Sequence, residues 1–323
     1  MPTEIALAEP AKSEAAVEPI WTGFLVPGQI TLLTGMWKIG KTTLLSHLLA
    51  HRREGGTLLD RPVRPGTTVL VSEEDRSMWA HRNAKLGFGP NLGLFCRPFQ
   101  ALPTMADFLA LMDRLMELRA SRGVDLVVFD PIALLLPIRN ENSAVSMHRA
   151  VAPLRRLTDA GVAVLLSHHP SKKGIGKERQ SSRGSGALTG FADILLELRL
   201  VSNDLHDRRR TLHCYSRNEG TPPVTVIELN REGTEYRVLP EESLTELPDY
   251  WPILQAILRD APGKRTRKEI LAEWGDDVPP PRPLTLWRWL DALCERELLV
   301  CEGSGNYKDP YRYGLAAKAS GTQ

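Results

Sequence analysis

A glycine-rich turn between two apolar segments constrains this chain more than any other stretch of its 323 residues. The apolar run at residues 30–33 leads into Gly35-x-x-x-x-Gly40-Lys41-Thr42, and an apolar segment with helical spacing follows directly. Glycine permits backbone angles that a Cβ forbids, so the turn can approach a bound group closely. Its N–H groups and the positive end of the following helix both attract anions. The stretch therefore predicts a phosphate-binding loop between a strand and a helix.

The residues after the second glycine indicate which phosphate compound binds. Lys41 is expected to reach the β- and γ-phosphates of a nucleoside triphosphate, and the Thr42 hydroxyl is expected to ligate Mg²⁺. The alternative, a chance glycine loop, is disfavoured because all the fixed positions of the motif occur together in the required setting. The sequence contains no Asn-Lys-x-Asp guanine signature, so ATP rather than GTP is the expected nucleotide.

A carboxylate ends the apolar segment at residues 125–130. At the carboxyl end of a parallel strand beside the phosphate-binding loop, Asp130 would hold the hydration shell of Mg²⁺. The alternative is an ordinary strand-end aspartate that begins the turn at Pro131. The residues expected to bind ATP are Gly35, Lys38, Gly40, Lys41, Thr42, Thr43 and Asp130, with Thr42 and Asp130 also binding Mg²⁺.

Polar residues end three further apolar segments. Glu73 and Glu74 follow residues 67–72, where a carboxylate can orient and deprotonate the water that attacks the γ-phosphate. The alternative is a pair of acids that stabilise the start of a helix through its dipole. His168 closes the segment at 163–167 and is expected to sense the γ-phosphate, unless it is a plain surface histidine. Arg217 is expected either to reach the γ-phosphate of a neighbouring subunit or to be an ordinary strand-end arginine.

A basic loop lies between residues 171 and 183. It has five basic side chains against one acid, Glu178, and suits electrostatic contact with a nucleic-acid backbone. It has no aromatic residue to stack on bases, and a merely solvated loop is the alternative. The expected DNA-binding residues are Lys172, Lys173, Lys177, Arg179 and Arg183.

The overall composition is that of an ordinary soluble protein. Charged residues make up 25% of the chain and the net charge is only +2, so affinity for nucleic acid has to come from local patches. The four cysteines form no Cys-x-x-Cys pair, which indicates thiols of a reducing compartment. No apolar run reaches about 18 residues, and no signal pattern begins the chain. A cytoplasmic protein without membrane contact is expected.

The order of the apolar segments predicts an α/β fold with two folded domains. Strands and helices alternate as far as residue 167, with single helices expected at 103–122 and 143–160, which predicts a mostly parallel sheet flanked by helices. The segments 194–201, 210–215, 224–229 and 236–239 then indicate an antiparallel meander that extends the sheet. Helical segments at 250–260, 267–274 and 284–299 precede a hairpin at 300–315 and predict a small winged-helix-like domain. The expected boundaries are a disordered tail at 1–18, domains at 19–242 and 249–316, and a disordered tail at 317–323.

Taken in order, these motifs resemble the RecA-like core of hexameric helicases, in particular the RepA-type plasmid helicases and more distantly the DnaB-type replicative helicases. The similarity covers about residues 20–240. The residues that carry it are the phosphate-binding loop with Lys38, Glu74 followed by Trp79 and Arg82, the pair His168-His169, and Ser216-Arg217-Asn218. The resemblance implies a RecA-like ATPase domain at 19–242, in which Glu74 rather than Glu73 activates water. It also implies that His168 senses the γ-phosphate and that Arg217 acts across a subunit boundary.

The combined features predict a Mg²⁺-dependent ATPase ring, expected to be a hexamer, that binds single-stranded DNA. Such a ring would act as a helicase or translocase in replication or in a mobile element. The alternative is an ATP-gated DNA-binding regulator or adaptor that uses the smaller domain and does not unwind DNA. In that domain phosphates of duplex DNA would be contacted by Lys264, Arg265, Arg267, Lys268, Arg282 and Arg288, although winged helices also dock proteins.

Overall fold

The computed structural model describes residues 17–138, 143–169, 186–201, 207–240, 250–275, 280–281, 283–307 and 309–316. The chain divides into two compact units, one within Met1–Arg199 and Arg209–Leu239, the other within Leu200–Arg208 and Pro240–Gln323. Nearly all of the two predicted tails lies outside the described residues. None of the helices in the described ranges combines the length and the apolarity that a membrane span requires.

In the described part of the chain, the first unit is built on a nine-stranded sheet. Its strands in chain order are β1 Ile30–Thr34, β2 Gly56–Leu58, β3 Arg61–Val63, β4 Thr67–Ser72, β5 Leu92–Cys96, β6 Val124–Asp130, β7 Ala163–His168, β8 Ile194–Leu200, β9 Arg209–Ser216, β10 Val224–Leu229 and β11 Tyr236–Leu239. The sheet order is β11-β10-β9-β8-β1-β7-β6-β4-β5, while β2 and β3 pair separately as a hairpin.

Most of the sheet is parallel. The strands from β8 to β5 in the sheet order all pair in parallel, whereas β9, β10 and β11 pair antiparallel. The predicted α/β fold, with a mostly parallel sheet flanked by helices and extended by antiparallel strands, is confirmed. The four segments of the predicted meander, β8 to β11, lie side by side in the sheet in chain order. On its other side β8 pairs with β1 in the parallel direction, with Thr34 opposite Glu197, so it joins the meander to the parallel strands.

The helices of the first unit follow the amphipathic segments of the sequence. They are α1 Lys41–His51, α2 Arg76–Leu86, α3 Met105–Arg122, α4 Ala144–Val151, α5 Arg155–Asp159 and α6 Gly186–Phe191. Helix α3 begins at a capping box formed by Thr104 and Asp107. Its residues Phe108 and Met112 are fully buried in the same core cluster as Phe129 of β6. Complete burial of a side chain of this size stabilises the fold by about 1.5–3 kcal/mol.

The carboxyl ends of four parallel strands form the edge that carries the predicted site. The register places Thr34 of β1 opposite His168 of β7, and Ser72 of β4 opposite Asp130 of β6. The phosphate-binding loop continues from β1, and Glu73 continues from β4. Ligands of open α/β sheets bind at this edge, so the fold brings the predicted residues of separate segments together.

The second unit has its own small core. In its described residues it contains α7 Trp251–Asp260, β12 Arg265–Thr266, α8 Arg267–Ala272, α9 Pro283–Glu295, β13 Leu299–Glu302 and β14 Arg312–Leu315, with the sheet order β12-β14-β13. Leu254, Ile270 and Leu290 lie in the core, and the ring of Tyr250 stacks on Trp289 with 3.8 Å between the centroids. The third helix ends before its predicted limit, because residue 299 already begins a strand.

Candidate functional site

The loop between β1 and α1 forms a cradle of backbone atoms. Gly35, Lys38 and Gly40 have φ angles of 155°, 61° and 111°, in the region that glycine adopts most readily. A Cβ on Gly35 would lie 2.6 Å from the carbonyl oxygen of Leu198, so only glycine fits there. Gly40 is the N-cap of α1 and has no side chain to bond the N–H groups of the first turn. These N–H groups and the helix dipole therefore favour an anion at this point.

Lys41, the first residue of α1, is buried beside this loop. Its Nζ donates hydrogen bonds to the carbonyl oxygens of Gly35 at 2.7 Å and of Met36 at 3.0 Å, and it lies 2.8 Å from Nδ1 of His169. An ammonium group has only donors, so Nδ1 of His169 accepts this hydrogen bond. Burial lowers the pKa of Lys41 to about 8, which leaves the side chain mainly positive near neutral pH. Burial also lowers the pKa of His169 to about 4, so its ring is neutral there.

A hydroxyl and a carboxylate meet next to Lys41. Oγ1 of Thr42 donates to Oδ2 of Asp130 at 2.9 Å. Asp130 is 3% exposed, and burial raises its pKa, although the hydroxyls of Ser167 and Thr42 oppose this effect. A carboxylate oxygen and a hydroxyl oxygen in contact are a donor set that suits Mg²⁺. The structure thus brings together the two residues that the sequence predicts as metal ligands.

These groups line one cleft of about 640 Å³. Its walls come from the phosphate-binding loop, the ends of β4 and β6, and the residue that follows β7. The lining residues are Trp37, Lys38, Gly40, Lys41, Thr42, Thr43, Glu73, Glu74, Asp130, Pro131, Leu134 and His169. At the rim Trp37 is 69% exposed, and Nζ of Lys38 lies 4.2 Å from the centroid of its ring. The cleft therefore brings together the ammonium group of Lys41, the two oxygen donors that suit Mg²⁺ and the carboxylates of Glu73 and Glu74.

A family model described as the AAA domain matches residues 5–174, which is more than half of the chain and includes every residue that lines the cleft. The chain belongs to the AAA domain family. A comparison with curated proteins gives no match. Membership of the AAA domain family supports the P-loop ATPase that the sequence predicts, a hydrolase that depends on a nucleotide.

The residues of this AAA domain fit ATP and Mg²⁺. The N–H groups of the cradle and the ammonium group of Lys41 suit phosphate oxygens, and three acceptors around Nζ stabilise its positive charge. Thr42 and Asp130 would hold Mg²⁺, which when bound neutralises negative charge on phosphate oxygens. The groups on the walls of the cleft therefore suit both ATP and Mg²⁺.

Two glutamates of the AAA domain line the cleft in different surroundings. Burial raises the pKa of Glu73, and the charge of Arg97 opposes this shift. The carboxylate of Glu74 accepts two hydrogen bonds from the guanidinium group of Arg82. Both glutamates are close enough to Asp130 to line the same volume, and the choice of Glu74 as the base stays a prediction.

His169, which the sequence analysis names only as a member of the pair His168-His169, contacts Nζ of Lys41. The predicted residue, His168, is the last residue of β7, lies opposite Thr34 and is 3% exposed. Strand alternation sets the direction of His168 within β7, whereas His169 follows the strand and takes its direction from the chain beyond it. The apolar run before them shows where the strand ends but not which histidine faces the loop.

Arg217 lies away from the cleft of its own chain. It is exposed and follows β9, and the next residue, Asn218, exchanges hydrogen bonds of 2.7 Å and 3.3 Å with Gln29. Gln29 precedes β1, whereas the phosphate-binding loop follows the opposite end of that strand. The structure therefore does not bring Arg217 to Lys41 of the same chain.

Another arginine, Arg210, contacts the phosphate-binding loop directly. It lies at the start of β9, and its Nε donates to the carbonyl oxygen of Ile39 at 3.0 Å. From β11 the ring of Tyr236 meets His47 of α1 edge-on, with 4.9 Å between the centroids. The antiparallel strands thus support the loop and its helix. The only sequence signal for this support is the run of arginines at 208–210.

The remaining predicted contacts concern nucleic acid. Lys172, Lys173, Lys177, Arg179 and Arg183 all lie outside the described residues. In the second unit Lys264 and Arg265 form ion pairs with acidic side chains of that unit, whereas Arg267 and Lys268 are exposed at the start of α8. Two of the six basic residues predicted to contact duplex DNA are therefore already neutralised by nearby acids, while Arg282 and the side chain of Arg288 lie outside the described part of the chain.

Proposed function

We propose that the chain is the subunit of an ATP-hydrolysing ring, expected to be a hexamer, that binds single-stranded DNA and moves along it in the manner of RepA-type and DnaB-type helicases. The observation that carries this proposal is the separation of two sets of charges. Lys41, Asp130 and Glu74 meet at the carboxyl edge of the sheet, while Arg217 lies near the other end of β1. Arg217 can therefore complete a cleft only in another copy of the chain.

Each side chain of the cleft has a distinct task in this reaction. Lys41 binds the β- and γ-phosphates, and Glu74 accepts a proton from the attacking water as its oxygen bonds to the γ-phosphorus and the bond to ADP breaks. His169 contacts the γ-phosphate, the task that the sequence analysis gave to His168. Arg217 of a neighbouring subunit stabilises the charge that develops on the transferred group.

The sheet supports a RecA-like core. The phosphate-binding loop follows a central parallel strand, and antiparallel strands extend the sheet beyond β8. Such a core binds its nucleotide at the carboxyl edge of the parallel strands. In hexameric helicases this edge lies at the interface between subunits. The RepA-type assignment rests on this architecture together with the motifs that the sequence analysis names.

The route from the cleft to DNA is short in sequence. The basic loop begins two residues after His169, and the chain then continues into α6 and β8. Its excess of lysine and arginine suits a phosphate backbone. If His169 moves when the γ-phosphate is lost, the movement would therefore reach the basic loop, which is proposed to bind the DNA strand.

Turnover and native mass test the ring. Wild-type ATPase activity should rise with single-stranded DNA, and the rise should be larger at low salt because phosphate contacts release counterions. Lys41→Ala should abolish turnover with and without DNA. In ATP the native mass should be about six times the 36.0 kDa chain. A monomer in ATP contradicts the ring, and turnover that ignores DNA at every salt concentration contradicts the translocase.

A second candidate function is an ATP-gated DNA-binding regulator that uses the second unit and does not unwind DNA. The observation that favours it is the order of α7, β12, α8, α9, β13 and β14 with a three-stranded sheet, which is the element order of a winged helix. Arg267 and Lys268 are the exposed cations at the start of α8 in this arrangement. Winged helices dock on DNA or on proteins, so the element order alone does not decide the partner.

A charge-removal variant separates the two candidates. In the regulator, Arg267→Ala with Lys268→Ala should weaken binding to duplex DNA by roughly tenfold or more and lower its salt dependence. The matched control replaces two exposed arginines of the first unit, Arg119 and Arg122, by alanine. Full DNA-stimulated ATPase activity in the first variant would instead favour the ring and its basic loop as the reader of DNA.

A further inference from the structure

Each carboxylate oxygen of Glu74 accepts a hydrogen bond from the same arginine. Nη2 of Arg82 donates to Oε1 at 3.0 Å, and Nη1 of the same guanidinium group donates to Oε2. Two parallel hydrogen bonds between a guanidinium group and a carboxylate are stronger than neutral ones and fix the orientation of both groups. The side chain of Glu74 is 34% exposed and that of Arg82 is 20% exposed, so water screens the ion pair only in part.

Arg82 is itself held in place from behind. Its guanidinium carbon lies 4.5 Å from the ring centroid of Trp79, which is only 2% exposed. The indole N–H of Trp79 donates to Oγ of Ser72 at 3.0 Å, and the backbone N–H of Glu74 donates to the same oxygen at 3.0 Å. The backbone and the side chain of Glu74 are thus both tied to the buried end of β4. The pair belongs to the packed structure and is not a loose surface contact.

Glu73 provides a comparison within the same cleft. Its neighbouring arginine, Arg97, donates through Nε to the backbone carbonyl of Glu73 at 3.2 Å and pairs with the carboxylate of Asp75 at 3.6 Å. The side chain of Arg97 is 60% exposed. Among the residues that the structure describes, no guanidinium fork orients the carboxylate of Glu73, whereas Arg82 orients that of Glu74.

A general base needs an oxygen lone pair directed at the water from which it takes a proton. Because Arg82 bonds to both oxygens of Glu74, the guanidinium group sets the direction of the carboxylate, and at least one of these bonds has to open before the carboxylate can turn to a water. We propose that Arg82 is a positioning residue whose ion pair with Glu74 acts as a latch on ATP hydrolysis. This inference rests on the proposed role of Glu74 as the base.

Steady-state kinetics of the full chain test the latch without DNA. At saturating ATP, Arg82→Ala should raise kcat by roughly three- to tenfold, because a charge-assisted pair no longer restrains the base. The KM for ATP should stay within about twofold, since Arg82 does not touch the phosphate-binding residues. Arg82→Lys keeps the positive charge but cannot form two parallel hydrogen bonds, so its kcat should lie between those of the wild type and Arg82→Ala. Arg82→Ala combined with Glu74→Gln should be inactive, and Arg97→Ala is the matched control with wild-type kcat.

Two results overturn the latch. An unchanged kcat in Arg82→Ala removes it, and a kcat as low as that of Glu74→Gln shows that Arg82 aligns the base instead of restraining it. Thermal unfolding shows whether each variant is folded. If Arg82→Ala is not, Arg82→Lys and Arg82→Met decide by the same criterion of raised kcat at unchanged KM.

A binding measurement distinguishes failure of the latch from failure of the ATPase. Binding of a fluorescent ATP analogue that is lost in Lys41→Ala upholds the nucleotide site, and an unchanged kcat in the Arg82 variants then refutes the latch alone. A chain that binds no analogue refutes the ATPase and the latch together. Wild-type turnover in Glu74→Gln refutes the base and the latch but leaves ATP hydrolysis standing.

Discussion

Adjacent residues in this cleft have unlike surroundings, and His168 and His169 are the clearest case. One ends β7 opposite Thr34 and is buried, while the other accepts a hydrogen bond from Nζ of Lys41. The neutral ring of His169 is the form that suits this contact, because a second positive charge beside the lysine would repel it. The residue that follows a strand can therefore matter more to the chemistry than the last residue within it.

Paired substitutions test this difference. His169→Gln should lower kcat/KM for ATP by about tenfold, the size expected when one hydrogen bond to a charged group is lost. His168→Gln should mainly lower the melting temperature, because its side chain is 3% exposed. Steady-state kinetics and thermal unfolding of both variants provide the readout. A loss of turnover confined to His168→Gln would return the γ-phosphate contact to the predicted residue.

At the scale of elements, α1 and β11 meet through a buried histidine. His47 is 2% exposed and packs edge-on against Tyr236. Burial lowers its pKa from 6.5 to about 4, and the neighbouring charges of His51 and Lys85 act in the same direction. A neutral imidazole is thus built into the contact between the helix of the phosphate-binding loop and the edge of the sheet.

This contact makes stability depend on pH. Above pH 6.5 the ring is neutral in the folded and the unfolded chain, so its contribution is fully present. As the pH falls from about 6.5 to about 4, only the unfolded chain takes up the proton, and the free energy of unfolding should fall by on the order of 2–3 kcal/mol. Urea unfolding between pH 6.5 and 4 should show that the free energy of unfolding falls less with pH in His47→Gln than in the wild type. His169, whose pKa is also lowered, should add the same pH dependence to both proteins. If the free energy of unfolding falls equally with pH in the wild type and in His47→Gln, the role given to His47 is contradicted.

The sequence predicts the elements of this fold better than their directions. The strands around Asp130 and the phosphate-binding loop are apparent because buried apolar runs end in chemically distinct residues. The parallel pairing of β8 with β1 is not apparent, since the partner of a buried strand is distant in the sequence and a mostly buried strand lacks the alternation of an exposed one. The predicted single helix at 143–160 is interrupted at Ala152–Leu154, where Pro153 has no N–H to continue the helical hydrogen bonds. Strands β2 and β3 have three residues each, too few to show a pattern. Strand β5 lies at the edge of the sheet, and Gly93 interrupts its apolar run.

The candidate site shows the same limit. Lys41, Thr42 and Asp130 could be predicted because their motifs fix both residue type and spacing. Arg82 was noted for its place in a motif, but its hydrogen bonds to Glu74 depend on the turn that carries α2 back over the end of β4. Arg210 meets Ile39 across a separation of 171 residues, and no local pattern encodes that contact. Contacts of this kind follow from sheet order, which the sequence leaves open.

At the scale of the whole molecule, the position of Arg217 requires a neighbour if it is to serve catalysis. Mixing two inactive proteins tests this requirement. Lys41→Ala subunits keep Arg217, and Arg217→Ala subunits keep Lys41, so a mixed ring contains interfaces with both residues intact. Random assembly of equal amounts should restore activity at about a quarter of the interfaces. Lys41→Ala mixed with a second P-loop variant, Thr42→Ala, should stay inactive, and a wild-type level of turnover in Arg217→Ala alone would remove the need for a neighbour.

The exposure of Trp37 has a practical consequence for measuring this protein. Trp37 stands on the phosphate-binding loop at 69% exposure, whereas Trp21 and Trp79 of the same unit are 1% and 2% exposed. Acrylamide quenches the fluorescence of accessible indoles most strongly, so quenching within this unit should report mainly on Trp37. Addition of ATP should reduce that quenching in the wild type, and Trp37→Phe should remove the change while the second unit supplies a constant background. An intrinsic optical signal at the loop would then follow nucleotide binding and release in real time, with no label attached.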